Sequence, residues 1–252
     1  KPYMDVITYI YQDNRGRAGA RNTAIKQAKG KYIALLDSDD LWPAGKLEKQ
    51  VDIMHNNSGV DLLFGDKQRF ADDGTIIISS MFKEKGYDTK FFGDPFYVRD
   101  PYEKLLQEPY IPTGTVIMKR ECFTRSGLFD ETIYAEDWEF WLRIALFNRL
   151  AYSSDLWELE RDREGSGSKN LKAVYLSNIE ALEKHEREYP KELAKLGINM
   201  NAVICEKYLN VGYFLLKDEK DLARTCFKKS LSRVLGLKTL LWWFRTFLPT
   251  YD

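Results

Sequence analysis

Cysteine and histidine are scarce in this chain, and net charge is absent. Cys122, Cys205 and Cys226 are widely spaced and no pair has metal-ligand spacing, so a reducing compartment is the simplest account. The two histidines, His55 and His185, rule against a His-rich zinc site. Lysine plus arginine and aspartate plus glutamate balance at 38 each, so no global field argues for nucleic acid or an acidic polymer. No apolar run reaches the ~20 residues needed to cross a bilayer. What remains is a chain of 252 residues, enough for one large core or for one domain with an appendage.

The stretch Gly30-Lys31-Tyr32-Ile33-Ala34-Leu35-Leu36-Asp37-Ser38-Asp39-Asp40 is the most informative part of what is there. Ile33 to Leu36 is a short apolar run between a glycine and an acidic cluster, as expected of a strand covered on both faces. Ligands of open α/β sheets bind beyond the carboxyl ends of the strands. Asp37 and Asp39 stand at such an end with one residue between them, oxygen ligands suited to Mg²⁺ or Mn²⁺. A solvated acidic turn accounts for these residues alone equally well. Upstream, Val6 to Tyr11 reads as a strand. Asn14 to Asn22, with Gly16 and Gly19, leads into a helix whose Ala20, Ala24, Ile25 and Ala28 share a face and which Gly30 stops. The helix start and Arg21 favour an anion such as a diphosphate; an ordinary loop with a capped helix is the alternative.

Taken together, Asn14-x-Gly16, Ala20-Arg21-Asn22, Gly30-Lys31-Tyr32-Ile33 and Asp37-Ser38-Asp39-Asp40 resemble the family 2 glycosyltransferases. A second block lies about a hundred residues on. Gly114-Thr115-Val116-Ile117-Met118-Lys119-Arg120 resembles the family strand that passes under the sugar. Gly127-Leu128-Phe129-Asp130-Glu131 and Glu136-Asp137-Trp138-Glu139-Phe140-Trp141-Leu142-Arg143 resemble its second signature. The match runs from Val6 to Ser168, and two ordered blocks make it far more specific than an isolated Asp-x-Asp.

The resemblance implies a nucleotide-diphospho-sugar transferase fold, a mixed and mostly parallel sheet flanked by helices, and sugar transfer with inversion at the anomeric carbon. It gives donor binding to Arg21, Asn22, Asp37, Ser38, Asp39 and Arg163, with Mn²⁺ or Mg²⁺ on Asp37 and Asp39 neutralising the leaving diphosphate. Asp137 takes the role of general base toward the acceptor hydroxyl. Glu136, Gly114, Thr115 and Trp141 fall on the acceptor or sugar side. Acidic residues at a helix N-terminus also explain Glu136 and Asp137, and Trp138, Trp141, Leu142 and Ala145 have the spacing of a buried stripe. Partners would be a nucleotide-sugar donor and a saccharide or lipid-linked saccharide acceptor, with no nucleic acid.

Two departures from the family stand out. Residues Asp155 to Ser168 look like its late loop over the diphosphate, yet Arg163 stands where a histidine is common; arginine binds phosphate but is no neutral metal ligand. A flexible Gly-Ser linker is the alternative. The family's opening strands, with a base-binding Asp, are not in this sequence. The expectation is a piece of a longer enzyme whose residues before Lys1 complete the nucleotide pocket. Ile33 to Leu36 should then be a central strand needing a neighbour on each side.

In the middle, Pro43 suits the first turn of a helix carrying Leu47, Val51 and Met54 inward. Asp61 to Phe64 reads as a strand, and Asp72-Asp73-Gly74 as a hairpin turn between Lys67–Phe70 and Thr75–Ile78. Phe91 to Pro112 is either an acceptor-side loop or a packed Ω-loop. After Ser168 the pattern turns helical, dividing the chain into a catalytic part, 1–168, and a helical part, 169–252. Two of these helices, 203–216 and 222–235, weakly resemble one tetratricopeptide unit. The apolar stretch from Leu237 to Leu248, flanked by cations, either packs on the other helices or lies in a membrane interface. A cytoplasmic protein follows, with peripheral contact at the inner face of the membrane as one option. Two other functions compete: a haloacid-dehalogenase-like phosphohydrolase using Asp37 and Asp39, and a non-catalytic helical interaction module. Leu41 stands where the first would have Thr or Val, and the retained Asp39 and Asp137 argue against the second.

Overall fold

The computed structural model of the chain describes residues 6–163 and 169–247. The order is α1 (Gly16–Gln27), β1 (Tyr32–Ala34), α2 (Lys46–Asn56), β2 (Leu62–Phe70), β3 (Ile76–Ile78), α3 (Met81–Lys85), α4 (Thr89–Phe92) and α5 (Pro101–Gln107). A 3-10 turn (Thr113–Thr115), β4 (Ile117–Lys119), α6 (Glu121–Ser126), α7 (Glu136–Phe147) and β5 (Leu150–Arg161) complete the first part. Helices α8 (Leu171–Glu188), α9 (Pro190–Lys195), α10 (Met200–Leu215), α11 (Lys220–Arg233) and α12 (Leu237–Arg245) follow.

The strands form one mixed sheet. β2 is its centre: it runs parallel to β5, from Leu62 opposite Leu150 to Phe70 opposite Arg161. Its start pairs antiparallel with β4 and its end with β3. The expected hairpin is there. Gly74 takes a left-handed φ of 86°, and Ala71 N–H donates to the Thr75 carbonyl at 2.8 Å. β4 in turn pairs antiparallel with β1, Ile33 opposite Met118.

β1 is therefore paired on one edge only among the described residues, not on both as the apolar run suggested. It is also short, ending at Ala34, while Leu36 is exposed. The residues Val6 to Tyr11, read as a strand, have no regular structure and lie open to solvent. β-branched and aromatic residues form a strand only with a ladder to join, and no described residue pairs with them.

Most of the buried apolar side chains form one large cluster. It runs from Ile33 and Phe64 in the sheet, through Tyr102 and Trp141, to Ile179, Leu182 and Phe227 in the helices. The segment 91–112 is packed, with Phe92, Tyr102 and Tyr110 fully buried. A smaller cluster of Met54, Val60, Leu63, Ile117, Ala151 and Trp157 fills the other face of the sheet. Helix α2 reaches it with an unexpected face. Met54 points inward as predicted, but Leu47 and Val51 are exposed and Lys46 and Gln50 are buried.

Residues 155–161, read as part of a late loop, extend β5 instead, because they pair along Asp66 to Phe70. The rest of that loop beyond Arg163, with the boundary at 168, lies outside the described residues, as does the end of the apolar stretch at Leu248.

Candidate active site

A cleft of about 1170 Å³ opens beyond the carboxyl end of β1. One wall is α1, which presents Arg17, Ala20, Arg21 and Ala24, followed by Ala28 at its C-terminal cap. The shared face read from the sequence is thus largely a cleft wall rather than core. The acidic turn Asp37 to Asp40 forms the rim, and Asp137, Trp138 and Trp141 of α7 lie across from it. Glu158, Glu160, Arg161 and Arg163 also line it, the two arginines beside the acidic turn.

Arg21 joins the two sequence blocks. Its guanidinium donates to both oxygens of Asp37 at 2.8 and 3.0 Å and to Glu136 Oε1 at 2.9 Å. Burial disfavours its charge, but Asp37 first, then Asp137 and Glu136, outweigh that, and its pKa is raised. Arg17 holds the other Glu136 oxygen at 2.9 Å. Glu136 is consequently almost fully enclosed, between two guanidinium groups. Burial and then the neighbouring Asp137 still push its carboxyl above the ordinary value.

Asn22 is buried as well, and acts as a two-way clamp. Its amide donates to the Phe129 carbonyl and accepts from the Phe129 N–H, both at 2.9 Å. Arg15 reaches Glu131 at 2.7 Å. The first block is thus fastened to Phe129–Glu131, and the shared motif residues hold the architecture as much as they line the cleft. Asp130 belongs to the same frame, paired with Lys184 of α8 at 2.7 Å.

The acidic turn is strapped to β5. Leu41 and Leu159 exchange backbone hydrogen bonds at 3.0 and 2.9 Å, and Arg161 N–H donates to Asp40 Oδ1 at 2.8 Å. Burial raises the Asp40 carboxyl. Asp39 is 39% exposed, and its nearest cation is Arg163, with Nε at 3.9 Å. Asp137 is half-buried in the first turn of α7; its Oδ1 accepts from the Trp138 N–H at 2.8 Å and its Oδ2 faces the Thr113 hydroxyl at 3.4 Å.

Of the residues singled out by sequence, Arg21, Asp37, Ser38, Asp39, Asp137, Trp141 and Arg163 line the cleft. The other four sit behind it. Asn22 and Glu136 are engaged as described. Thr115 is fully buried, with its hydroxyl donating to the Pro112 carbonyl at 2.7 Å. The Gly114 carbonyl accepts from the Trp42 indole at 2.8 Å. Trp141 is packed against Phe129 and Phe140, with only 2% of its surface exposed. Residues passed over by sequence reasoning are Arg17, Lys67, Glu158, Glu160 and Arg161. For the β5 residues the alternation along the strand was the available signal: Glu158 and Glu160 share one face.

Among the described residues, no three His, Cys, Asp or Glu side chains converge to hold a metal on protein ligands alone. The fit for Mg²⁺ or Mn²⁺ therefore rests on Asp39, whose carboxylate has room for a hard cation that takes the rest of its shell from phosphate and water. Asp37 fits less well, because Arg21 occupies both its oxygens.

Comparison with known proteins bears on the family and the fold. The family model "Glycosyl transferase family 2" matches residues 1–125. This part of the chain belongs to that family. It is 45% identical over 115 residues to the putative teichuronic acid biosynthesis glycosyltransferase TuaG of Bacillus subtilis, covering 46% of this chain and 40% of that one. It is 31% identical over 137 residues to WfgD of Escherichia coli, covering 54% of this chain and 47% of the relative. WfgD is named a UDP-Glc:α-D-GlcNAc-diphosphoundecaprenol β-1,3-glucosyltransferase. The chain thus spans about half the length of the curated relatives it matches. Among solved structures, S. aureus TarS 1–349 superposes with a TM-score of 0.56 at 18% identity, over 87% of this chain and 60% of that 1–349 chain. That likeness is one of fold, the mixed sheet flanked by helices that glycosyltransferases of this type share.

Proposed function

We propose that the chain transfers a sugar from a nucleotide-sugar donor to an acceptor hydroxyl, with inversion, in the synthesis of bacterial surface polysaccharide or glycolipid. The observation that carries this is a cleft lined by Arg21, the acidic turn and Asp137, with Arg21 bridging Asp37 to Glu136 behind it. In this reading the donor diphosphate lies over the Asp37–Asp40 turn, between Arg161 and Arg163. Asp39, joined by Asp37 once it yields Arg21, would hold Mn²⁺ or Mg²⁺, which would supply neutralisation of the charge on the departing diphosphate. Ser38 lies under the same phosphates.

Asp137 accepts the proton of the acceptor hydroxyl as its oxygen attacks the anomeric carbon from the face opposite the leaving group. Glu136 is a positioning residue, since it fixes Arg21 and the start of α7. Asn22, Gly114 and Thr115 shape the floor, and Trp141 supports it from the core. The names of WfgD and TuaG support a saccharide or lipid-linked saccharide as acceptor.

We assign transfer to residues 1–168 and a supporting role to the helical part, 169–252. No described helix is long and apolar enough to cross a membrane. In this reading α12 instead touches the inner face of the cytoplasmic membrane through its exposed Leu237, Leu241 and Phe244. The test is a screen of UDP-, GDP- and dTDP-sugars with Mn²⁺ and saccharide acceptors, the product read by NMR. One donor should give a product of inverted anomeric configuration. Retention of configuration would overturn the mechanism, and no transfer from any donor would overturn the function.

A further inference from the structure

The mechanism leaves a group of buried polar atoms beneath the cleft unexplained. Glu158 is 5% exposed, Lys46 2% and Gln50 not at all. Glu158 Oε2, Lys46 Nζ and Gln50 Oε1 have no hydrogen-bond partner. Buried polar atoms without partners cost free energy, so three in one neighbourhood call for a reason. They are neighbours. The Gln50 amide donates to the Thr115 carbonyl at 2.7 Å, the Lys46 ammonium lies 4.0 Å from the Trp42 ring centre, and Trp42 donates to Gly114. The Glu158 carboxyl stands against Gly114 so closely that a Cβ there would run into it.

Of the three, Glu158 lines the cleft. Its position along the cleft is defined from both sides. On one side, the next residues of β5 carry the straps to Asp39, Asp40 and Leu41. On the other, the turn that Glu158 touches delivers Thr113 to Asp137. Glu158 thus lies between the diphosphate end and the base end, where the transferred sugar must be.

We propose that Glu158 reads the donor sugar, through hydrogen bonds between its carboxyl and hydroxyls of the hexose. The proposal rests on the glycosyl-transfer reading and goes one residue beyond it. The chemistry favours a polyol over an anion. Lys67, the cation that acts most strongly on Glu158, is already paired with Glu160 at 3.0 Å and so is not offered to a phosphate there, whereas a hydroxyl both donates to and accepts from a carboxyl. Burial also pushes the Glu158 carboxyl up to about 8, so near neutral pH it offers an O–H as well as an acceptor. Gly114 is then required because only glycine leaves room for that carboxyl. Lys46 stands behind it, held in place by Trp42.

The test uses the full chain with Mn²⁺ and titrates UDP-glucose, UDP-galactose, UDP-N-acetylglucosamine and GDP-mannose, each against its own nucleoside diphosphate. For a donor that the wild type binds, Glu158→Leu should leave the nucleoside diphosphate affinity unchanged. It should weaken the sugar nucleotide by about tenfold, the loss of one strong hydrogen bond. Glu158→Gln, which keeps a donor and an acceptor, should recover most of it. A second arm needs no variant. Among the 2-, 3-, 4- and 6-deoxy analogues of that donor, at least one should bind the wild type about tenfold more weakly than the parent. Equal weakening of diphosphate and sugar nucleotide in Glu158→Leu, an unchanged sugar preference, or indifference of the wild type to every deoxy analogue would overturn the assignment while leaving the donor site intact. If no nucleotide binds the wild type, the donor reading itself falls and this proposal with it.

Discussion

Arg21 shows how much one side chain determines here. Its guanidinium is 10% exposed and serves two carboxylates from separate sequence blocks, Asp37 and Glu136. Its loss would leave buried Glu136 with Arg17 as its cation and the half-exposed Asp37 to water, so the cost stays below the ~3–5 kcal/mol of a wholly uncompensated buried charge. Arg21→Met should therefore lower the melting temperature and release α7, while Arg21→Lys should not restore the wild type, because an ammonium cannot serve both carboxylates as a planar fork does. Thermal melts of the two variants check this; a lysine variant as stable as wild type would mean that charge alone matters. Asp39 is the opposite case, exposed and weakly held. Asp39→Asn should keep the fold and abolish Mn²⁺-dependent transfer, read by comparing activity and melting curve in one preparation.

At the scale of elements, α7 and α8 share a buried charge cluster. Glu139 is fully enclosed; Arg143 lies at 2.6 Å, Lys184 at 3.0 Å and His185 at 3.5 Å. Burial raises the Glu139 carboxyl, but these neighbours reverse that and bring it to about 2. A depressed carboxyl stabilises the fold above its ordinary value near 4.5 and loses that contribution as pH falls toward 2. Acid unfolding of the wild type should steepen across this window. Glu139→Gln should be less stable at pH 7 and lose less between pH 4.5 and 2. Parallel profiles for the two proteins would remove Glu139 from the account. The pair α10 and α11 gives a packing test: a Cβ on Gly212 would lie 2.7–3.0 Å from the Phe227 ring, which is fully buried. Gly212→Ala should destabilise by ~1–3 kcal/mol through overpacking, measured by denaturant titration.

These elements also show what could be read in advance. The turn at Gly74 and the cleft-facing acidic turn were legible because glycine and aspartate act through local backbone geometry. Helix α2 was legible as a helix but not in its orientation. Leu47 and Val51 are the apolar choice, yet Lys46 and Gln50 face inward because the 112–115 turn and Glu158 lie across from them. Helical periodicity records hydrophobicity and carries nothing about a polar partner supplied from a distant part of the chain. Val6 to Tyr11 failed for a related reason, since strand propensity is expressed only through a ladder. Arg21 and Asp37 were named from sequence, but the role of Glu136 as their anchor depended on tertiary placement.

For the whole molecule, one core cluster joins sheet and helical part, so the C-terminal helices brace the α7 wall of the cleft. The far end of that brace is α12, with Leu241 and Phe244 exposed and Arg245 beside them. Membrane contact predicts that the protein sediments with vesicles containing phosphatidylglycerol and that Leu241→Ser with Phe244→Ser abolishes this. Unchanged sedimentation of the double variant would exclude α12 as the contact. The central claim, however, is that the acidic turn and Asp137 work on one sugar. Paired turnover kinetics and donor calorimetry on Asp137→Asn test it most directly. Turnover should fall by ~10²-fold or more, as expected for loss of a general base, with donor affinity nearly unchanged. Undiminished turnover, or lost donor affinity at normal turnover, would contradict it.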